Sequence, residues 1–364
     1  MKAFVFVNDN GAAFSRYKKN EIPAQFVYGV SKLEKMGFEV MVGRGNLLND
    51  LISFWKFKPD LFFMPFIKRK TMLFYILARI FLFKTKFAGW MHLDVFAPPV
   101  SRLKKVIYSL LLPFLKCYVR KIDAIFFLSE KSRDEIKASR GLHSHQCHFI
   151  SWGGDATFYA PFINGLHNEN IISTGRENRD LPSVMSSVKN SDVTIDIYTS
   201  DLNLPDSYAN VNGDIRINKG RWAYTDLLEK VSASKSMIIP IKTDKINYCV
   251  GLSSLIEAIA LGVPVIATYN PYWYVDIEKE KCGIYIKDNS LIEWTRALEK
   301  LNRDPELVAQ MSKNALKTFV EKCDFVRTEE MLAMHIDNIL KKSDPLKAYK
   351  ELYESVEYRA PLNN

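Results

Sequence analysis

The chain has 364 residues, of which 48% are apolar, 25% charged and 13% aromatic; this excludes a wholly disordered chain, a collagen-like fibre and a coiled-coil rod, and suits two domains. The formal net charge of +9 is unevenly spread, because residues 56–121 alone hold 14 basic residues against Asp60 and Asp94. Five scattered cysteines, an odd number without a CxxC pair, argue against a disulfide framework or a zinc knuckle and fit a reducing cytosol.

In chain order, strand-length apolar runs fall at 3–7, 39–42, 60–64, 87–91 and 124–128, with helical spacing over 24–36 that ends at Gly37. The first run is too short for a signal-peptide core. The stretch Met72–Phe83, interrupted by Arg79, is too short to cross a bilayer. The second half repeats the style, with strands at 170–174, 194–199, 236–240, 263–267 and 283–286 and helices at 225–232, 253–261 and 290–301. Strands alternating with helices imply parallel sheets covered on both faces. The expected fold is α/β, with two doubly wound Rossmann-like domains facing a central cleft. The domains are expected at 1–163 and 164–330, divided in the loop Pro161–His167. A charged helical tail, 331–364, either packs back on the first domain or extends.

The segment 54–96 holds 13 aromatic residues among basic ones. The stretch Arg102–Lys121 places Leu103, Ile107, Leu110, Leu111, Phe114 and Tyr118 near one helical face, and Pro113 is expected to kink it. Basic flanks around an apolar face describe a helix lying in a membrane interface, where each Lys or Arg near an anionic leaflet adds about 1 kcal/mol. Residues 56–121 are therefore expected to attach the protein to an anionic membrane surface. The plainer alternative is that these helices cover the first sheet with their lysines in water. Nucleic acid is not an expected partner, since no recognition helix, RNP-like strand or zinc finger is present.

Three loops carry chemistry. In "CVGLSSLIEAIALGVPVIAT" (249–268) Gly251, Leu252, Ser253 and Ser254 open a helix whose free N–H groups make an anion site; Glu257, one turn in, suits the two hydroxyls of a ribose. In "IISTGRENRD" (171–180) Gly175 ends a strand and Arg176 and Arg179 suit a diphosphate, unless Glu177 and Asp180 neutralise them. "FISWGGDATFYAPF" (149–162) is a turn at the domain boundary. The dense group His143, His145, Cys147 and His148 contains zinc-ligand types, but its alternating spacing favours no metal.

The "GR" turn at 175–176, the "GLSSLIEAIALGVPVIAT" block, "CGIYI" at 282–286 and "RDPELVAQMSKNA" at 303–315 together resemble the large E-x7-E family of retaining GT-B glycosyltransferases (glycosyltransferase family four-like). The first half matches more loosely, through "KIDAIFFLSEKSRDEI", "GGDATFYAP" and the His of "MHLDVF". The resemblance implies a metal-independent transferase using a nucleotide sugar as substrate, UDP-sugar favoured and GDP-sugar possible, without cofactor. It implies that Glu257 holds the ribose and that the amides of Leu252, Ser253 and Ser254 receive the diphosphate. It makes Arg176 and Arg179 the cations for the leaving group and His92 a group near the donor sugar. Trp222 or Tyr224 would face the base, and Gly11 and Asp94 the acceptor. Cys249 stands where the motif's first Glu would be. The expected activity is transfer with retention to a lipid-linked or oligosaccharide acceptor in bacterial-type surface polysaccharide assembly, at the cytosolic face of a membrane. The alternatives are a non-catalytic nucleotide-sugar-binding partner subunit and a GT-B sugar-nucleotide epimerase.

Overall fold

Short runs of Val, Ile, Leu and Phe with no polar face are satisfied only in a sheet covered on two sides, and both halves of the chain build one. The computed structural model describes residues 1–341 apart from 8, 10, 82–83, 97–101, 164–169, 176, 189–191 and 200–214. By its contacts the chain divides into two units: residues 1–15, 27–150 and 328 onward, and residues 16–26 with 151–327.

The first unit contains β1 (Lys2–Val5), α1 (Ala12–Lys18, which runs on into residues of the second unit), α2 (Val30–Lys35), β2 (Glu39–Val42), α3 (Leu47–Phe57), β3 (Leu61–Met64), α4 (Arg69–Phe81), β4 (Lys86–Trp90), α5 (Arg102–Val119), β5 (Ala124–Phe127), α6 (Glu130–Arg140) and β6 (Cys147–Phe149). Its six strands are all parallel, in the order β2-β1-β3-β4-β5-β6. The second unit contains α7 (Ala156–Tyr159), β7 (Ile171–Ser173), α8 (Leu181–Val188), β8 (Ile195–Thr199), β9 (Ile215–Lys219), α9 (Tyr224–Ser232), β10 (Ser236–Ile239), α10 (Leu252–Ala260), β11 (Val265–Thr268), β12 (Gly283–Ile286), α11 (Leu291–Arg303) and α12 (Pro305–Thr318). Its order, β9-β8-β7-β10-β11-β12, again all parallel, is the Rossmann order, which reverses between β7 and β10. The helix α13 (Phe325–Lys341) follows.

Four expectations change. The division falls at 150/151 rather than 163/164, because residues 151–163 are held within the second unit: Gly154 N–H donates to Cys323 O at 2.7 Å, and Ser232 Oγ donates to Phe162 O. The helix expected over 24–36 is broken into a 3-10 turn, Ala24–Val27, and α2, because Tyr28 and Gly29 take φ of 53° and 90°. Gly29 is required there, since a Cβ would run into the side chain of Leu332 on α13. β6 and β9 are additional edge strands. The aromatic surplus of 54–96 is core rather than surface: Phe54, Phe62, Phe63, Phe74, Tyr75, Phe87 and Trp90 are all fully buried, with Phe62 stacked on Phe74 at 5.1 Å.

Residues 328–341 of α13 pack within the first unit. Leu332 and Ile336 are fully buried, and the Glu329 carboxylate accepts from Ser31 at 2.8 Å and Lys35 at 2.9 Å. The remainder of the expected tail, 342–364, lies outside the described residues. Part of the basic surplus also has internal work. Arg79 donates to Lys121 O at 3.1 Å, Lys86 pairs with Asp123 at 2.9 Å, and Arg120 donates to Gly141 O at 2.8 Å. α5 nevertheless leaves Leu110 70% and Phe114 66% exposed, with exposed Cys117 one turn on. The side chains of 102–108 and 111, Leu103, Ile107 and Leu111 among them, lie outside the described residues. Among the described residues no helix is long and apolar enough to cross a membrane.

Candidate functional site

In an open α/β sheet, ligands bind beyond the carboxyl ends of the strands where the order reverses. In the second unit that point lies between β7 and β10; the loops after these two strands carry Gly175, Arg179 and Gly251, and α10, which follows the second loop, carries Ser254 and Glu257.

After β7 the chain turns through Gly175, at φ 111°, and Asn178, at φ 55°. It then runs antiparallel to 240–242, with Asp180 N–H donating to Pro240 O and Lys242 N–H to Asn178 O, both at 2.9 Å. This fixes the Arg179 backbone. Its guanidinium donates to Glu177 O at 3.0 Å, to Thr174 O at 3.4 Å and to Ser254 Oγ at 3.0 Å. Gly175 is required beneath it, because a Cβ would overlap Nη2 and stand 2.9 Å from Cζ. Burial pulls Arg179 down to about 10, opposed by nearby Glu257, which leaves it charged at neutral pH. Arg176 lies outside the described residues.

α10 begins at Gly251, which takes φ 83° and packs against Ile239 and Trp273. The turn at 248–250 that leads into it is held by side chains: buried Asn270 donates to Tyr248 O at 3.1 Å and to Val250 O at 3.0 Å, and Trp273 Nε1 donates to Val250 O at 2.9 Å. Its first turn holds no acidic residue, so the helix dipole there is uncompensated. Of the three amides expected to receive a diphosphate, Leu252 N–H is already donated to Cys249 O at 3.2 Å, while those of Ser253 and Ser254 open the helix without a partner within it, and Ser253 is exposed. Cys249 is a neutral thiol, pushed up to about 12 by burial.

Glu257 is half-buried one turn into α10. Burial lifts its carboxyl to about 7, against the hydrogen bond from Tyr224 and the charge of Arg179. Tyr224 Oη donates to Glu257 Oε1 at 2.9 Å, and Tyr159 Oη lies 2.7 Å from Tyr224 Oη. Tyr224 is thus engaged with the carboxylate. Trp222 stands edge-on to Tyr198 of β8 at 5.3 Å. Sequence reasoning missed Tyr159 and, further back, Gln25, whose amide donates to Tyr159 Oη at 2.7 Å.

The first unit's expected residues sit on its own strand ends. His92 follows β4; its Nε2–H donates to Pro65 O at 3.2 Å and its ring lies 4.5 Å from Phe66. Burial pushes it down to about 4, so it is neutral. Asp94 is occupied locally: it accepts from Phe96 N–H at 2.9 Å and pairs with Arg140 at 2.5 Å. Gly11, at φ 75°, opens α1 and donates its N–H to Asp9 Oδ1 at 3.1 Å. His143 stacks on His145, and His148 on His335 of α13 at 3.9 Å. Among the described residues no group of three His, Cys, Asp or Glu side chains is arranged to hold a metal ion.

Residues 246–318, which span α10 and Glu257, match the family model described as Glycosyl transferases group 1. None of the curated proteins matches the chain. Among solved structures it is similar to sucrose-phosphate synthase from Thermosynechococcus elongatus, with 14% identity, TM-score 0.70, and 94% of this chain covering 100% of that one. It is similar to Anabaena Alr3699/HepE in complex with UDP-glucose, with 13% identity, TM-score 0.63, and 93% covering 100%. It is also similar to WaaG, a glycosyltransferase involved in lipopolysaccharide biosynthesis, with 14% identity, TM-score 0.54, and 91% covering 98%. Likeness at this level of identity establishes the fold: two Rossmann-like α/β domains, each on a six-stranded parallel sheet, as in GT-B proteins.

Proposed function

We propose that the protein is a retaining, metal-independent glycosyltransferase that takes a nucleotide sugar, UDP-sugar before GDP-sugar, and elongates a lipid-linked or oligosaccharide acceptor in surface polysaccharide assembly. The observation that carries this reading is the convergence, at the β7/β10 reversal, of a charged Arg179, the open start of α10 and the half-buried carboxyl of Glu257. These suit the diphosphate and the ribose of one nucleotide. The match of 246–318 to a glycosyltransferase family supports the same reading, as does a similar fold that holds UDP-glucose.

In this reaction the acceptor hydroxyl attacks the anomeric carbon on the face from which the diphosphate departs. The new C–O bond forms as the bond to the phosphate oxygen breaks; that oxygen keeps the electron pair and takes the hydroxyl proton. The protein's contribution is electrostatic: the Arg179 charge and the N–H groups opening α10 stabilise the growing negative charge on the leaving diphosphate. Arg176 adds a second cation in this assignment, and neutral His92 keeps the role toward the donor sugar that the resemblance implies. Gly11 and Asp94 keep theirs toward the acceptor.

The membrane contact in this reading is α5, because the aromatic residues of 54–96 named above are core. Leu110, Phe114 and Cys117 are spaced to share one face of α5, and residues 56–121 carry the basic surplus. Attachment is peripheral, on the cytosolic face. A second reading, a nucleotide-sugar-binding subunit without transferase activity, is favoured by Cys249, whose neutral thiol replaces a carboxylate. Calorimetry with UDP- and GDP-sugars, followed by mass spectrometry of products with lipid-linked and soluble acceptors, separates the readings. Binding with product supports the transferase, binding without product the subunit, and conversion of donor without acceptor an epimerase.

A further inference from the structure

Glu257 is reached by a line of three side chains drawn from three separate parts of the chain. Gln25 is 1% exposed and precedes the 3-10 turn's end; Tyr159, fully buried, closes α7; Tyr224 opens α9. All three belong, with Glu257, to the second unit, although Gln25 lies more than 120 residues before the rest of it in sequence.

The hydrogen bonds along this line have one direction. Asp155 N–H donates to Gln25 Oε1 at 3.0 Å, which fixes the amide so that Nε2 faces Tyr159. Gln25 Nε2 is then a donor, and the Tyr159 oxygen accepts from it. Each tyrosine has one proton. Tyr224 gives its proton to Glu257 Oε1, so Tyr159 must give its own to Tyr224. Every member is committed in sequence, and the last acceptor is the carboxylate. Burial raises both tyrosines well above their ordinary range, so neither loses the proton it donates. The Phe26 ring packs edge-on against Tyr224 at 5.4 Å, and the Phe158 ring lies 6.1 Å from it.

We propose that Gln25, Tyr159 and Tyr224 are positioning residues that hold Glu257 as a hydrogen-bond acceptor in one orientation, and thereby set the preference of the site for a ribose over a deoxyribose nucleotide. The inference rests on the ribose assignment of Glu257 made above. One carboxylate oxygen is tied to Tyr224, and the other is left to receive the sugar hydroxyls. Without the Tyr224 donor the carboxyl is free to rotate and to keep its own proton, and a protonated, rotating acid discriminates poorly between a hydroxyl and a hydrogen.

The test is calorimetric titration of the full chain with the pairs UDP and 2′-deoxy-UDP, and GDP and 2′-deoxy-GDP. A hydrogen bond to a charged acceptor makes the expected preference of the unaltered protein at least about tenfold for the ribose form. In Tyr224→Phe the preference is expected to fall below about threefold, with affinity for the deoxy form unchanged within about twofold. Tyr159→Phe, one step further back, is expected to give a smaller fall in the same ratio, and it tests the line if Tyr224→Phe does not fold. A general loss of structure would weaken both nucleotides equally, so equal weakening, or an unchanged ratio in the folded variants, overturns the proposal. Glu257→Gln separates this failure from that of the ribose reading. If that variant loses the preference while Tyr224→Phe and Tyr159→Phe keep it, the line alone is refuted. If Glu257→Gln keeps it, the ribose assignment falls and the line with it.

Discussion

Replacing Gly175 by alanine disables Arg179 without altering it. The glycine sits at φ 111°, and a Cβ there would overlap Nη2 and stand 2.9 Å from Cζ and 3.0 Å from Nε of Arg179. None of these atoms is the far tip of a loosely held chain, since the guanidinium is bonded to Glu177 O, Thr174 O and Ser254 Oγ. The head group must leave its seat. A charge-assisted hydrogen bond contributes about 1.5–3 kcal/mol, so diphosphate affinity is expected to fall about 10- to 150-fold. The strained φ adds a stability cost of about 1–3 kcal/mol. The assay is calorimetric titration of UDP into Gly175→Ala, Arg179→Ala and the double variant, with melting temperatures alongside. Because both changes remove one interaction, the double variant is expected to bind as weakly as Arg179→Ala, within about 0.5 kcal/mol. Wild-type affinity in folded Gly175→Ala, or losses that simply add, would refute the seat.

In the proposed assignment Glu257, lifted to about 7 by burial, accepts the ribose hydroxyls in its ionised form. Affinity for a nucleoside, which brings no phosphate titration, should therefore climb from about pH 6 to about pH 8, and Glu257→Gln should flatten the climb; a flat wild-type profile contradicts the assignment. His335 and His148 are held neutral by burial, pushed down to about 3 and about 4, with their rings 3.9 Å apart. Their unfolded value is higher, so their contribution is whole above about pH 6.5 and is lost as the pH falls toward those values; at pH 5 the loss at His335 is roughly 2 kcal/mol. Urea denaturation at pH 7 and pH 5 should show it, and His335→Phe should shrink the difference; an unchanged difference removes the histidine from the account. On α5, Leu110→Asp with Phe114→Asp should abolish flotation with anionic liposomes and leave nucleotide affinity intact; undiminished flotation would move the membrane contact elsewhere.

The sheets were legible because buried parallel strands are uninterrupted apolar runs, as in Leu61–Met64 and Val265–Thr268, both fully buried. β6 and β9 escaped because edge strands carry polar residues, His148 in one and Arg216, Asn218 and Lys219 in the other. The break at Gly29 was invisible because it answers to Leu332, three hundred residues on. The aromatic segment misled in the same way: composition counts rings, but only packing says that Phe62 and Phe74 face each other. At the site, the glycine-to-helix geometry and the Glu257 position were readable from local spacing. The partners of Glu257 were not, since Gln25, Tyr159 and Tyr224 meet only through the tertiary fold. Trp222 or Tyr224 is the expectation for the base, and what local spacing does not show is that the Tyr224 hydroxyl donates to Glu257.

The central claim is that the β7/β10 reversal of the second unit binds the nucleotide of a sugar donor. Calorimetric titration of the full chain with UDP- and GDP-sugars, repeated for Arg179→Ala and Glu257→Ala, measures it directly. The account predicts that at least one nucleotide sugar binds and that each substitution weakens it at least about tenfold. Binding that both folded variants retain in full, or no binding of any nucleotide sugar, would contradict it.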